Sequence, residues 1–506
     1  MKKLSYLLLT SVLIISSCQK ELDQQPISNN TTDTYFAAPN DFLQATNAVY
    51  NDLLPYPDRL LNLSETRSDN LYAVSEGGVR DWEGINSFHK TIAANPYVEE
   101  AWSKNFNGIS RANTLLDQLV KNGTVIPDEG LRKRYEAEAK FLRAFFYFDL
   151  VRWFGKVPLI DKPVLTEEAL SIPRSPVADI YQLIISDLQF AAENLPLASA
   201  YAAPDKGRAS KFAAKSLLAL VYMTRSGPTY GIEGPGLGLS EWPLAVAQLN
   251  EVINSGQYSL LSGTAGAYES IFSYTNENNK EVVFNIEYVS GANPQLGATF
   301  PWLLAPDGYF QANGKPNQGG LQIRPVSENL LKSYEAADSR KAFTIQAGYV
   351  IPKGAVETKS FYKKYINLAS VPASRTDWPI NFMVLRYTDI MMLKAECVLH
   401  GAAGSTTTDV DNVVNTIRQR AGLAGDRVNV TLAQLMEERR KEFAAEGSRW
   451  HDLVRSGLVN TVMPAWIATD DVEKKMQPFN NDFIIYPVPQ SQLDVKVGLY
   501  TQNNGY

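Results

Sequence analysis

The chain has 506 residues, 45% of them hydrophobic, with 48 basic side chains against 54 acidic ones. That is ample material for a buried core, and the net charge of −6 argues against a nucleic-acid partner. Two cysteines and three histidines exclude a disulfide framework, and His89, His400 and His451 lack HxxxH or HExxH spacing, so neither a metal site nor a metal cofactor is expected.

Residues 1–17 read as a secretory signal peptide: Lys2 and Lys3, an apolar run from Leu7 to Ile15, then Ser16 and Ser17 before Cys18. The run is far short of the ~20 residues a spanning helix needs. Cys18 behind small residues resembles the lipobox of bacterial lipoproteins, which implies a lipidated N-terminus at Cys18. Loss of Lys2 and Lys3 takes the net charge to about −8 and leaves Cys397 as the other cysteine. Residues 18–39 are polar and lack periodicity, a flexible tether.

From Asn40 the chain reads as helical. FLQATNAVYNDLL opens the series, and a second helix fits 97–120. EAKFLRAFFYFDLVRWFG forms a third, with Tyr135, Ala139, Leu142, Phe146, Leu150 and Trp153 in line and Gly155 at its end. Phe141, Phe145 and Phe148 lie off that stripe, so this helix is expected to be covered on several sides. Further helices fit 177–194, 208–225 and 241–254. Gly231, Gly234, Gly236 and Gly238 read as a flexible surface loop. EVVFNIEYV alternates like a strand. Helices return at FMVLRYTDIMMLKAECVLH, DVDNVVNTIRQRAGL and a charged segment from Thr431 to Arg455. Ala112, Ala139, Ala213 and Ala395 are small residues suited to helix crossings. The fold class is therefore mostly α, a tetratricopeptide-like scaffold of helix pairs with long loops and a few short strands. The N-terminal half spans 40–260 and the C-terminal half 261–506, both in one compact body.

No GxSxG, GxxxxGKS/T or GxGxxG run is present, and no catalytic residue is assigned. Ser448, His451 and Asp452 lie within one helical turn, whereas a triad needs its base between nucleophile and acid. The acids and arginines around them suit intrahelical ion pairs such as Glu437–Lys441 and Arg439–Glu442. Arg386 and Glu396 read as buried structural partners rather than ligands.

EAKFLRAFFYFDLVRWFGKVPLI, PRSPVADIYQLIISDLQFAAENLP and GRASKFAAKSLLALVYMT resemble the N-terminal half of the SusD/RagB family. RYTDIMMLKAE, VNTIRQRAGL, ERRKEFAAEGSRWHDLVRSG and IIYPVPQSQL…YTQNNGY resemble its C-terminal half. The tail departs from the family, which commonly has Asn-Pro before the final Gln-Asn. The resemblance implies an α/α superhelical body on an outer-membrane, lipid-anchored surface protein, facing the cell exterior. It implies binding of oligosaccharides without cleavage and their delivery to a SusC-like TonB-dependent β-barrel transporter. The RagB branch instead implies peptides, and a surface glycosidase is the reading from another class.

Two stretches, 55–96 and 290–325, lack regular pattern and are too long for connectors. The first carries Asp69, Asn70, Tyr72, Arg80, Trp82 and Asn86; the second carries Trp302, Tyr309, Phe310 and Asn313. A sugar offers an apolar C–H face to flat rings and hydroxyls to Asp, Asn and Arg, so these ten residues are the candidate ligand-binding set. In the family, too, the glycan site is built from aromatics on loops of both regions. Arg67, Tyr274 and Trp378 are weaker candidates.

Overall fold

The computed structural model describes residues 35–74, 80–261, 267–404 and 406–506. The signal peptide, Cys18 and most of the tether lie outside the described residues. Among these, no helix is long and apolar enough to cross a membrane.

The helical framework follows the sequence periodicity closely. Helix α1 (Pro39–Asn51) is followed by a short helix, α2 (Tyr56–Arg59), that runs directly into a π-helical turn, Leu60–Glu65. A one-and-a-half-turn helix, α3 (Asp81–Asn86), comes next. The stretch 55–96 is thus more regular than its lack of pattern suggests, because π and single-turn helices leave no sustained 3.6-residue stripe.

Helix α4 (Pro96–Asn122) starts on Asn95, whose side chain accepts from the Tyr97 amide. Helix α5 (Glu129–Phe154) starts on Asp128, which accepts from Leu131, and stops at Gly155 with φ 66°. Every residue of α5 from Phe141 to Phe154 is buried, so the off-stripe phenylalanines do mark a helix covered all round. The two helices cross closely at Gly108 of α4, where a Cβ would overlap the Phe146 ring of α5. Ala112, Ala139, Ala213 and Ala395 are also buried.

Helices α6 (Val177–Asn194), α7 (Lys211–Ser226) and α8 (Trp242–Asn254) continue the stack. Strand β1 (Val282–Ile286) pairs antiparallel with β4 (Phe382–Arg386), while β2 (Ile345–Val350) and β3 (Val356–Tyr362) form a hairpin. Between β1 and β2 lies the short helix α9 (Asp307–Ala312). Helices α10 (Tyr387–Leu399) and α11 (Thr407–Arg420) follow β4. Packing is sequential: α4 on α5, α5 on α6, α6 on α7, α7 on α8, α8 on α10 and α10 on α11. The result is mostly helical with a few short strands.

Other expectations need correcting. FMVLR is a strand, because its backbone pairs with a segment a hundred residues earlier, which local periodicity cannot register. The charged segment is two helices, α12 (Leu432–Glu442) and α13 (Arg449–Ser456), parted by a turn with Ala445 at φ 68° and Gly447 at φ 77°. The glycine loop is folded in: Gly234 and Gly236 are buried, and Tyr181 Oη donates to the Pro235 carbonyl at 2.8 Å.

The charged helices do carry intrahelical ion pairs, though these are Glu437–Arg440, Glu438–Lys441 and Asp452–Arg455 rather than Glu437–Lys441 and Arg439–Glu442, and long-range pairs join them. Arg340, Arg386 and Arg420 converge on Glu442 at 3.1, 2.8 and 2.5 Å. Arg439 binds Asp389 and Asp452, and Glu396 binds Arg455 at 2.7 Å. Burial would raise the Glu442 pKa, but the three arginines hold it well below the usual carboxylate range. Arg386 and Glu396 are both buried structural groups, with different partners.

The chain closes on its own beginning. Arg67, fully buried, lies 3.8 Å from the Tyr486 ring centroid and donates to the Phe483 carbonyl and the Tyr506 hydroxyl. One hydrophobic cluster runs from Phe36 to Val488 and draws on both halves of the sequence.

Candidate functional site

Trp82 is the second residue of α3, and its ring lies over the Arg324 guanidinium at 4.5 Å. Asn86, at the far end of α3, locks that helix down: its side-chain oxygen accepts from the Ala73 amide, and its nitrogen donates to the Thr66 and Leu71 carbonyls. Arg324 is held in turn by Asn62 Oδ1 at 2.8 Å and by weaker contacts to Thr66 and Tyr97. The second stretch is clamped where the Gly320 amide donates to Ala305 and the Asp307 amide to Gly320. Gly319 allows this approach, since a Cβ there would strike the Ala305 carbonyl oxygen. Trp302 sits just before the clamp on a 3₁₀ turn, Phe300–Leu303, anchored by the buried ring of Phe300.

These two constructions meet. Arg80, Trp82, Trp302, Leu321, Gln322 and Arg324 line one cavity of about 230 Å³. Both tryptophans are half-buried, Leu321 stands exposed at the rim, and Arg80 Nε donates to the Gln322 side-chain oxygen. The cavity thus combines flat apolar rings with a few polar groups, the make-up of a small-molecule pocket.

The other candidate residues lie elsewhere, and most are committed inside the protein. Asp69 is buried and gripped by Arg449 through bonds of 2.8 Å to each carboxylate oxygen, with Arg440 at 3.1 Å. Burial alone would raise its pKa, but the two arginines hold it down to about 2. Asn70 bonds Glu65 and Arg440. Tyr72 donates to Asp471. Tyr309 packs on Phe361, and Phe310 packs on Trp378. Asn313 is exposed but outside the cavity, donating to the Tyr309 carbonyl. Arg67 and Trp378 are fully buried, and Tyr274 donates to the Tyr365 carbonyl.

Sequence reasoning missed Arg324 and Gln322. Both fall inside the second stretch, but nothing local distinguishes them from other polar loop residues. The triad reading fails on geometry, because Ser448 Oγ bonds Asp452 directly at 3.2 Å while His451 packs against Trp153. Burial, reinforced by Arg152 and Arg455, keeps that histidine neutral. A larger groove of about 650 Å³ between α4 and α5 has charges of both signs, and Lys140 already covers its one aromatic ring, Phe190.

Residues 22–223 match the family model described as "Starch-binding associating with outer membrane", and residues 351–506 match that of the SusD family. The chain belongs to the SusD/RagB family. A SusD-like relative, protein P25 of Formosa agariphila, is 26% identical over 97% of both chains. Among solved structures, a laminarin-binding SusD-like protein is 27% identical with a TM-score of 0.72, covering 93% of this chain and all of its own. Surface glycan-binding protein A from Bacteroides thetaiotaomicron, solved with laminarihexaose, gives a TM-score of 0.76 at 23% identity over the same shares. The SusD-like fold is therefore common to all of them.

Proposed function

We propose that the protein captures oligosaccharides at the cell surface without cleaving them. The lipid on Cys18 holds it to the outer membrane, where it delivers its ligand to a SusC-like TonB-dependent barrel. The observation that carries the reading is the meeting of Trp82 and Trp302, from stretches more than two hundred residues apart, around one cavity. Two rings beside guanidinium and amide groups match the C–H faces and hydroxyls of a sugar. Asp81 is the one acid among the described lining residues, whereas glycoside hydrolysis requires two carboxyls flanking the bond. The names of the relatives, which bind glycans or laminarin, agree with this.

Calorimetry with laminarin-type and other soluble oligosaccharides tests it. Loss of a central aromatic typically costs ~1–2 kcal/mol or more, so Trp82→Ala and Trp302→Ala should each weaken binding about tenfold. Trp102→Ala and Trp153→Ala, in the helical core, should instead lower stability. Unchanged affinity in both loop variants, with folding intact, would move the site; shortened products would make the protein a hydrolase.

A further inference from the structure

We infer that the oligosaccharide this cavity takes carries an anionic substituent, a carboxylate or a sulfate, received by Arg80 and Arg324. The inference rests on the cavity being the glycan site. Elsewhere the fold neutralises its buried arginines directly: Arg340 with Asp338 at 2.7 Å, Arg386 with Glu442 at 2.8 Å, Arg449 with Asp69 at 2.8 Å and Arg455 with Glu396 at 2.7 Å. Arg67 lacks such a partner but is sealed beneath Tyr486 and Tyr506. At the cavity the pattern breaks. Among the described residues no carboxylate is within ion-pairing distance of Arg80 or Arg324, although Arg324 is only 7% exposed.

Their partners are neutral oxygens: the amides of Asn62 and Gln322, the Thr66 hydroxyl and the Tyr97 hydroxyl. A guanidinium taken out of water with only neutral acceptors is under-compensated, and burial pulls the Arg324 pKa below its ordinary value. Asp58, one helical turn before Asn62, is itself pushed up to about 7 by burial and carries only part of a charge at neutral pH. Asp81 is exposed, so water screens it.

Donor counting points the same way. Guanidinium groups only donate, whereas a sugar hydroxyl both donates and accepts. Carboxylate and sulfate oxygens only accept, and they match the arginine fork through charge-assisted bonds. The Trp82 ring keeps the Arg324 fork in place through a cation–π contact.

The test is calorimetry on the purified full chain with three probes: laminarihexaose, a uronic-acid oligosaccharide of similar length, and sulfated laminarihexaose. At least one anionic probe should bind ten times or more tighter than the neutral one, with affinity falling as salt rises. Arg80→Gln should remove most of that preference and Arg80→Lys should restore part of it; Arg80 is half-exposed, so the fold should tolerate both. A preference for one anionic probe identifies carboxylate or sulfate. Equal or tighter binding of laminarihexaose overturns the inference and leaves glycan capture standing. An anionic preference untouched by Arg80→Gln also overturns it. Binding of none of the three, nor of other glycans, overturns the glycan site itself.

Discussion

Asp69 holds its charge in the protein interior only because Arg449 and Arg440 face it. Removing one member of a buried pair typically costs about 3–5 kcal/mol. Asp69→Asn should therefore lower stability by that order in urea unfolding, without creating or abolishing a ligand contact. Its pH dependence has a definite sign. The folded pKa, about 2, lies below the unfolded value of about 3.9. The stabilisation, roughly 2–3 kcal/mol by linkage, is present above pH ~4 and lost as pH falls towards 2. Acid titration of wild type and variant should converge in that window; parallel curves would show that Asp69 is not held as the geometry requires. The same residue shows why the site was only partly legible. Asp, Asn and Arg are the residue types of both a sugar site and a buried polar network, and Arg449 stands 380 residues from Asp69. Trp82, Arg80 and Trp302 stand out in the sequence as aromatic and cationic residues in stretches too long for connectors, but residue type alone does not separate them from Arg67, which lies in the same first stretch and is a buried structural group.

Elements were legible where their stabilisation is local. α1, α4–α8 and α10–α11 bury long apolar stripes, and the caps at Asn95 and Asp128 are visible as residues. β4 was not, since its partner β1 is remote, and the break between α12 and α13 was hidden by good helix formers on either side. That break depends on Gly447: at φ 77°, a Cβ there would come within 2.5 Å of Leu60 Cβ. A non-glycine residue in the left-handed region costs about 1–2 kcal/mol, and the clash on the π-helical turn adds to it. Gly447→Ala should lower the melting temperature by several degrees, whereas Gly256→Ala, at φ 65° with open space around it, should cost less. Equal losses would mean that the contact with Leu60 carries nothing.

For the whole molecule, we propose that the 40–260 and 261–506 halves fold as one unit, since one apolar cluster draws on both. Cys18→Ser should release the protein from membranes into the soluble fraction, and the released body should unfold in a single transition seen alike by circular dichroism and tryptophan fluorescence. Two separated transitions would make the halves independent domains; a variant that stays on membranes would remove the lipid anchor. The clasp of Arg67 by Phe483, Tyr486 and Tyr506 sets an order in time. A chain synthesised from its N-terminus presents the Arg67 guanidinium well before the tail that encloses it arrives. Contacts joining residues 416 to 439 positions apart form late, because long loops must close first. Until the tail docks, the nascent protein leaves a cation and several aromatic faces uncovered, a state for chaperones to guard and proteases to find.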